Sequence, residues 1–378
     1  MKNIDTLCVH GARDVHNTTG AIATPIYQSA TFFHPGLEQS TGFDYSRLQN
    51  PTRQVLEKTV ATLESGLDAM AFSSGMAAMS TLIELFSPGD HLIASGDLYG
   101  GSVRLLNYVA KKNGITVDYL HTGDIHSLKH SICSSTKAIF VETPSNPMMQ
   151  VTDIAAVSKI TKDRGILLIV DNTFLTPCFQ RPLELGADVV LHSGTKYLGG
   201  HNDTLAGFLV INSQELSEKL RFLYKTIGAC LAPFDCFLIE RGIKTLALRM
   251  QRIQESALKI AEWLSRREWV STVHYVGLPS HPDYEISCRQ ASGFGGMISF
   301  TVDSAETARR ILSGMRTIFY AESLGGVESL ITYPILQTHA DVPEETRTAL
   351  GITDRLLRLS VGIEAAEDLI ADLEEAIR

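Results

Sequence analysis

A lysine flanked by hydroxyl residues gives the first indication of chemistry in this sequence. Lys196 follows an apolar segment at 189–191 and stands between Thr195 and Tyr197, with Ser193 close by in the chain. Desolvation of a lysine just beyond a buried strand lowers the pKa of its amine, and the neutral amine is nucleophilic. The hydroxyls of Ser193 and Thr195 suit a phosphate group. A surface lysine after a strand is an equally good interpretation of this segment taken alone.

Other apolar stretches also end in polar or aromatic residues. Ser73-Ser-Gly-Met-Ala-Ala78 is a small-residue turn that opens a helix, where free amides favour phosphate, although an ordinary helix cap is the better explanation of that turn taken alone. Tyr99 lies beside glycines that let its ring lie flat against a planar ligand, and Asn146 offers a side-chain amide. Asp171 ends an apolar run, where it either caps a turn or pairs with a protonated pyridine nitrogen.

These side chains together match the needs of one cofactor. Lys196 supplies an amine for an aldehyde, Asp171 a carboxylate for a ring nitrogen, and Tyr99 an aromatic face. The combination predicts pyridoxal phosphate, a cofactor that acts as an electron sink while the protein orients it. No nicotinamide fingerprint competes, since Gly293-Phe-Gly-Gly296 precedes a predicted strand rather than following one.

The elements that must position these residues alternate between strand and helix up to about residue 212. Strands are predicted at 69–72, 91–94, 116–120, 138–141, 167–170, 189–191 and 207–211, with helices at 53–64, 76–86, 102–112 and 154–163. Strands that are apolar on both faces and separated by helices predict a mostly parallel α/β sheet covered on both sides. Ligands bind beyond the carboxyl ends of such strands, where the candidate residues fall.

The rest of the chain predicts an arm and a second domain. Residues 1–50 show little periodicity, which predicts an extended functional arm. Residues 51–240 are assigned to the cofactor-binding domain and residues 241–378 to a smaller C-terminal α/β domain. In that domain we expect helices near 242–267, 305–313 and 365–377 and strands near 271–275, 296–301 and 317–319.

Composition excludes several classes of protein. The chain has 378 residues, a hydrophobic fraction of 44% and a net charge of −9 without blocks of like charge, which argues against nucleic acid or an anionic membrane as partner. The N-terminus lacks the apolar core of a signal peptide, and the six cysteines are scattered like reduced thiols, so we expect a cytoplasmic protein. The histidines show no ligand-like spacing, so no metal site is predicted.

Seven motifs in order make the chain resemble the Cys/Met-metabolism family of pyridoxal-phosphate enzymes, the γ-synthases, γ- and β-lyases and thiolyases of transsulfuration. The resemblance covers essentially the whole length and implies the aspartate-aminotransferase-like fold, type I, with a seven-stranded sheet. The motifs are Tyr45-Ser-Arg-Leu-Gln-Asn-Pro-Thr52, Ser73-Ser-Gly-Met-Ala-Ala78, Asp97-Leu-Tyr-Gly-Gly101, Glu142-Thr-Pro-Ser-Asn-Pro147, Val170-Asp-Asn-Thr173, His192-Ser-Gly-Thr-Lys196 and Leu357-Arg-Leu-Ser-Val-Gly-Ile-Glu364.

The resemblance implies a role for each cofactor residue. Lys196 would form the Schiff base and shuttle protons, Asp171 would pair with the pyridine nitrogen, and Tyr99 would stack on the ring. The further cofactor-binding residues implied are Gly75, Met76, Asn146, Thr173, Ser193 and Thr195.

The resemblance also implies a site shared between subunits. Tyr45 and Arg47 would reach the phosphate of the neighbouring subunit's cofactor, which would explain the long arm. An obligate dimer, usually doubled to a homotetramer, follows, with small amino acids as substrates.

Substrate recognition is implied at further positions. Arg358 matches the arginine that clamps the substrate α-carboxylate bidentately, assisted by Asn146 and Ser323. Arg104 could offer a cation to the distal carboxylate of cystathionine, with an ordinary helix-surface arginine as the alternative.

Two acidic residues and a glycine bear on the choice of reaction. Asp44 and Glu322 stand where γ-synthases and γ-lyases have acidic residues that could hold the distal ammonium. Gly101 replaces the reactive cysteine of methionine γ-lyases, which counts against that activity.

Other segments narrow the predicted activity. Residues 40–45, 198–203, 232–235, 331–334 and 337–343 look like Gram-positive cystathionine γ-synthases that also act as O-acetylhomoserine thiolyases. The predicted reaction is therefore γ-replacement on an O-acylhomoserine by cysteine or sulfide. Cystathionine γ-lyase would use the same residues and is the alternative, as a γ-elimination enzyme that could also have β-lyase or cysteine desulfhydrase activity. A non-catalytic homologue is a remote alternative, because Lys196 and Asp171 are both present.

Overall fold

Two β-sheets organise the chain in a computed structural model that describes residues 2–12, 17–340 and 342–378. The strands are β1 Asp68–Phe72, β2 His91–Ser95, β3 Thr116–Leu120, β4 Thr136–Glu142, β5 Leu167–Asp171, β6 Val189–Ser193, β7 Gly207–Ile211, β8 Val270–His274, β9 Met297–Val302, β10 Phe319–Tyr320, β11 Leu330–Thr332 and β12 Leu356–Ser360.

The helices lie between and after these strands. They are α1 Ile4–His10, α2 Pro51–Leu63, α3 Gly75–Ile83, α4 Gly100–Leu105, α5 Ile125–Ser131, α6 Ile154–Lys162, α7 Thr176–Phe179, α8 Gln214–Ile227, α9 Pro233–Ile243, α10 Leu246–Leu264, α11 Tyr284–Gln290, α12 Ala305–Gly314, α13 Glu344–Ala349 and α14 Ala366–Ile377.

The first sheet confirms the predicted seven-stranded, mostly parallel architecture. Its order is β1-β7-β6-β5-β4-β2-β3. Strand β7 runs antiparallel to both β1 and β6, whereas the other neighbours are parallel. The antiparallel strand is the one departure from a purely parallel sheet.

Both faces of this sheet are covered. In β4, Ala138 and Phe140 pack in one hydrophobic core, and Ile139 and Val141 pack in a second core on the other face. Side chains alternate between the faces of a strand, so a strand buried on both faces must be apolar at every position. This is why the central strands read as continuous apolar runs.

Because the strands are apolar along their length, the polar residues at their carboxyl ends are easy to identify. Glu142 is the last residue of β4 and pairs directly with Asp171, the last residue of β5. Ser193 ends β6, and Lys196 follows within the next turn. Polar side chains thus begin at one edge of the sheet, where the apolar strands stop.

The second sheet has the order β10-β11-β12-β9-β8. Its strands lie within residues 270–360 and pack against α10, α12 and α14 through a hydrophobic core of their own. Strand β12 is central in this sheet and carries Arg358. The division into an arm, a cofactor domain and a C-terminal domain stays a prediction.

Several predicted elements differ from the structure. The arm contains the short helix α1, although residues 1–50 were expected to be irregular. The helix expected at 102–112 is α4 followed by a π-helical segment, Leu106–Ala110. The sequence-based description also omitted α8, α9, β11 and β12. Across the described ranges, no helix is long and apolar enough to cross a membrane.

Candidate active site

A cavity of about 320 Å³ lies at the carboxyl edge of the first sheet. This volume is at the lower end of the range for small-molecule sites. The predicted site residues that line it are Gly75, Met76, Tyr99, Asn146, Asp171, Thr173, Ser193, Thr195, Lys196, Glu322, Ser323 and Arg358. Residues far apart in sequence therefore meet around one space.

Lys196 lies in the wall of the cavity, in the turn after β6. Its Nζ donates a hydrogen bond to Ser323 Oγ at 2.6 Å. Burial, together with the positive charge of Arg358, lowers the pKa of Lys196 to about 8, while Glu322 acts in the opposite direction. A larger fraction of the amine is therefore neutral, and nucleophilic, near neutral pH than for an ordinary lysine.

Ser323 connects Lys196 to Arg358. Its hydroxyl accepts from the lysine, and its backbone carbonyl accepts from Arg358 Nη2 at 2.9 Å. The φ angle of Ser323 is +86°, a region that non-glycine residues seldom adopt. A strained residue in contact with two candidate site residues suggests that the cavity dictates its conformation.

Asp171 is a partly buried carboxylate at the cavity floor. Its Oδ1 accepts hydrogen bonds from the amide of Thr173 at 3.0 Å and from its hydroxyl at 2.5 Å. Burial raises the pKa of Asp171, and the Thr173 bonds only partly oppose this. A protonated pyridine nitrogen would supply the positive charge that stabilises a carboxylate there. The floor therefore fits the ring of pyridoxal phosphate.

The start of α3 forms the phosphate end of the cavity. The Ser74 hydroxyl accepts from the Ala77 amide at 3.0 Å, whereas the amides of Gly75 and Met76 belong to the first turn, which has no intrahelical acceptors. A Cβ on Gly75 would lie 3.1 Å from Ser193 Cβ, so a glycine permits this close approach. Backbone amides beside the Ser193 hydroxyl fit a phosphate group.

Thr173 and Thr195 organise the same edge. The Thr173 hydroxyl accepts from the Ser193 amide at 2.9 Å while donating to Asp171. The Thr195 hydroxyl accepts from the Ala206 amide at 3.0 Å. These bonds tie the segment that carries Lys196 to its neighbouring strands.

Tyr99 stands at the cavity rim with 43% of its surface exposed. Its amide donates to Glu142 Oε2 at 3.0 Å. A Cβ on Gly101 would lie 2.4 Å from Tyr99 Cε1, so the glycine leaves room for the ring in this position. An anchored backbone with an exposed ring is suited to stacking on a planar ligand.

Glu142 and Asp97 are buried acids to which the sequence analysis gave no role. Burial and the neighbouring Asp171 raise the pKa of Glu142 well above its usual value. Burial raises the pKa of Asp97 to about 6, although Asp97 accepts bonds from the Ser145 hydroxyl and the Met148 amide. The signal was available, since Glu142 ends the apolar strand β4 and Asp97 lies two residues beyond β2.

Arg358 is a fully buried cation facing the cavity. Nη1 donates to Asn146 Oδ1 at 2.8 Å, and Nη2 donates to Thr332 Oγ1 at 3.0 Å. Nε has no hydrogen-bond partner among the described residues. Burial lowers the pKa of Arg358 to about 10, so the group stays charged at neutral pH. A buried cation with an open donor fits a substrate carboxylate.

Four predicted site residues do not line this cavity. Arg47 donates to the Lys225 carbonyl at 2.6 Å and lies 5.5 Å over the Tyr45 ring. Asp44 accepts from the Ser40 hydroxyl at 3.1 Å, and Arg104 lies exposed on α4. Their roles in binding stay predictions.

Comparison with known proteins gives one enzyme family but three different activity names. A family model described as "Cys/Met metabolism PLP-dependent enzyme" matches residues 5–378. The chain is 49% identical over 377 residues to a cystathionine beta-lyase of Lactococcus lactis subsp. cremoris (strain MG1363), covering 100% of this chain and 99% of that protein. It is 51% identical over 359 residues to a cystathionine gamma-synthase/O-acetylhomoserine (thiol)-lyase of Bacillus subtilis (strain 168), covering 95% and 92% respectively.

A solved structure gives the third name. The crystal structure of cystathionine gamma-lyase from Lactobacillus plantarum complexed with L-serine matches with a TM-score of 0.97 at 44% identity, covering 100% of this chain and 98% of that one. The predicted family, fold class and cofactor are confirmed, while the names differ in the reaction. The chain therefore belongs to the Cys/Met metabolism family of enzymes and is a transsulfuration enzyme that uses pyridoxal phosphate.

Proposed function

We propose that this enzyme catalyses γ-replacement on an O-acylhomoserine, with cysteine or sulfide as the incoming nucleophile. The observation that carries the proposal is the placement of two opposite charges on one cavity, with Arg358 buried in its wall and Glu322 exposed at its edge. The relative with 51% identity bears the name of this activity. Arg358 would bind the α-carboxylate of the acylhomoserine, and Glu322 would hold the ammonium of an incoming cysteine.

Lys196 is the group suited to move protons in this reaction. Pyridoxal phosphate supplies an electron sink that makes the protons on the substrate's Cα and Cβ acidic. The amine of Lys196 would remove a proton at one carbon and return it at another. An amine with a pKa near the working pH performs both steps well.

Arg358 and Asn146 would hold the substrate while the protons move. The guanidinium and the amide are already hydrogen-bonded to one another, so binding a carboxylate requires little rearrangement. The Ser323 hydroxyl would guide the Lys196 amine, which it contacts at 2.6 Å.

The second candidate is cystathionine γ-lyase. A γ-lyase is among the solved structures that match with a TM-score of 0.97, and Lys196 and Arg358 would serve elimination equally well. The two reactions differ in whether a nucleophile takes the place of the group that leaves the γ-carbon. Glu322 would bind the distal ammonium of cystathionine in that case.

Tyr45 and Arg47 are proposed to complete the site of a neighbouring subunit in a homotetramer. Neither residue lines the cavity of its own chain. The pair lies together, with the Arg47 guanidinium over the Tyr45 ring. A guanidinium and a phenol presented from one segment suit a phosphate on an adjacent copy.

An assay of products tests the proposed reaction. The PLP-loaded enzyme is given O-acetyl-, O-succinyl- or O-phosphohomoserine with cysteine, and, separately, cystathionine alone. We expect cystathionine to form from one acyl donor faster than cystathionine is broken down. Rapid release of cysteine, ammonia and a keto acid from cystathionine, with negligible replacement from every donor, would instead establish the lyase.

A further inference from the structure

A second cluster of reactive side chains lies at the opposite edge of the first sheet. Cys133 is exposed in the turn before β4. Its Sγ lies 3.6 Å from His91 Nδ1, and His91 Nε2 lies 3.3 Å from Asp118 Oδ2. The cluster therefore has the order thiol, imidazole and carboxylate. In nucleophilic sites this order places a base against the nucleophile and an acid that orients the base.

The supporting contacts fix the cluster in place. His91 is buried at the start of β2, and Nδ1 lies 2.9 Å from Thr136 Oγ1. The Thr136 hydroxyl accepts from the Cys133 amide at 2.9 Å. Hydroxyl groups of Ser135 and Thr136 lie 3.2 and 3.4 Å from Sγ. Two hydroxyls and an imidazole are thus aimed at one exposed sulfur.

These surroundings favour the thiolate. Hydrogen bonds from Ser135 and Thr136, together with His91, lower the pKa of Cys133 to about 6. An ordinary cysteine is only a few per cent thiolate at neutral pH. The nucleophilic form of Cys133 therefore predominates under the same conditions.

We propose that the Cys133–His91–Asp118 cluster is a thiol–disulfide exchange site for small disulfides that carry no net negative charge. The Cys133 thiolate attacks one sulfur of the disulfide RS–SR, a new bond forms to Cys133, and the old S–S bond breaks. The proton that Cys133 gave to His91 passes to the departing thiolate, so the products are Cys133–S–SR and RSH. No other oxidant is needed.

The charge preference follows from the cluster itself. The Asp118 carboxylate lies in the same cluster as the thiolate, and the whole chain carries a net charge of −9. An anionic disulfide is repelled on approach, whereas zwitterionic cystine or cationic cystamine is not.

The site is separate from the cofactor cavity. Thr136 begins β4 and Glu142 ends it, and seven residues of strand span about 20 Å. Modification of Cys133 therefore leaves turnover unchanged, and the proposal stands or falls independently of the reaction at Lys196.

Mass-spectrometric mapping of the full-length, PLP-loaded enzyme tests the site. The enzyme is exposed to cystine, cystamine or glutathione disulfide at neutral pH, quenched with acid at intervals, and digested without reductant. Cys288, which is also exposed, serves as the matched thiol in the same molecule. We expect Cys133 to form mixed disulfides with cystine and cystamine several-fold faster than Cys288, since its larger thiolate fraction outweighs the lower nucleophilicity of a low-pKa thiolate.

Variants separate the cluster from simple exposure. His91→Gln is expected to lower the rate at Cys133 a few-fold and to leave Cys288 unchanged. Asp118→Asn, at a largely exposed side chain, is expected to lower the Cys133 rate a few-fold without threatening the fold. Cys133→Ser removes the modification and retains turnover.

Three results would overturn the proposal. Equal rates of mixed-disulfide formation at Cys133 and Cys288 in the wild type would show that the Cys133 thiol is not activated. If the rate of mixed-disulfide formation at Cys133 is unchanged in both His91→Gln and Asp118→Asn, the cluster does not activate the thiol. Faster exchange with glutathione disulfide than with cystamine would refute the charge preference.

Discussion

The inner wall and base of the cavity, together called its floor here (Asp171, Lys196 and Arg358), differ from its rim (Tyr99 and Glu322) in how firmly their side chains are held. At the floor, Asp171 is bonded twice by Thr173, and Arg358 is bonded by Asn146 and Thr332. At the rim, Glu322 is exposed, as is nearly half of the Tyr99 surface. The floor is preorganised for the chemistry that the whole family shares. We therefore expect the rim to decide which substrate enters and which reaction follows.

Among changes at the floor, Lys196→Ala should cause the largest loss of turnover. Loss of the proton-transferring amine is expected to lower turnover at least about 10³-fold, in line with the size of general acid–base contributions. The variant should still bind pyridoxal phosphate, because Asp171 and the α3 amides remain. The wavelength of the cofactor's absorbance maximum should shift when an amino acid is added.

Lys159→Ala, at an exposed lysine of α6, is the matched control and should retain full activity. Turnover of Lys196→Ala within tenfold of the wild type would show that another group moves the protons.

Arg358→Lys should have the next largest effect. Lysine keeps the charge but cannot bond a carboxylate with two parallel N–H groups, so kcat/KM should fall about 10- to 100-fold. The loss should be equal for every amino-acid substrate, since all carry the α-carboxylate. A loss of kcat/KM confined to one substrate would show that Arg358 selects between substrates instead of binding the carboxylate that all of them share.

The pH dependence of cofactor capture tests the state of Lys196. The neutral amine reacts, so the rate at which apoenzyme captures pyridoxal phosphate should rise with pH and level off just above about 8, the lowered pKa. An ordinary lysine would show a continued tenfold rise per pH unit toward 10. Stopped-flow absorbance between pH 6.5 and 9.5 distinguishes the two, and a continued rise would contradict the burial of this amine.

Glu142→Gln should have the smallest effect. Because the pKa of Glu142 is raised well above its usual value, the neutral amide resembles the protonated acid and its oxygen can still accept from the Tyr99 amide. We expect turnover within about threefold of the wild type, and a loss of about tenfold in Glu142→Ala, where that bond is absent. Equal losses in the two variants would mean that the carboxylate charge matters.

Much of the floor could be predicted from sequence because its residues end apolar strands. Lys196 and Asp171 were found by that rule, and the same rule would have identified Glu142. Arg358 was found only through the family resemblance, since a charge in the middle of the short buried strand β12 contradicts the apolar pattern.

The rim and the arm were harder to predict. Glu322 lies between short strands with little periodicity, and its place on the cavity depends on how the two sheets pack. Tyr45 and Arg47 are expected to contact the cofactor of another subunit, and a contact between subunits leaves no periodic signal in the sequence of one chain. The reactive cluster at Cys133 was missed because His91, Asp118 and Cys133 come from three separate segments that only the sheet brings together.

Comparing cysteine with sulfide in Glu322→Gln tests the difference between floor and rim most directly. Cysteine has an ammonium group for Glu322 to bind, whereas sulfide has none, and both reactions use the same floor. We predict that kcat/KM falls about fivefold for cysteine and less than about twofold for sulfide with the same acyl donor, with Glu306→Gln on α12 unchanged for both. Equal losses for cysteine and sulfide would contradict the assignment of substrate choice to the rim.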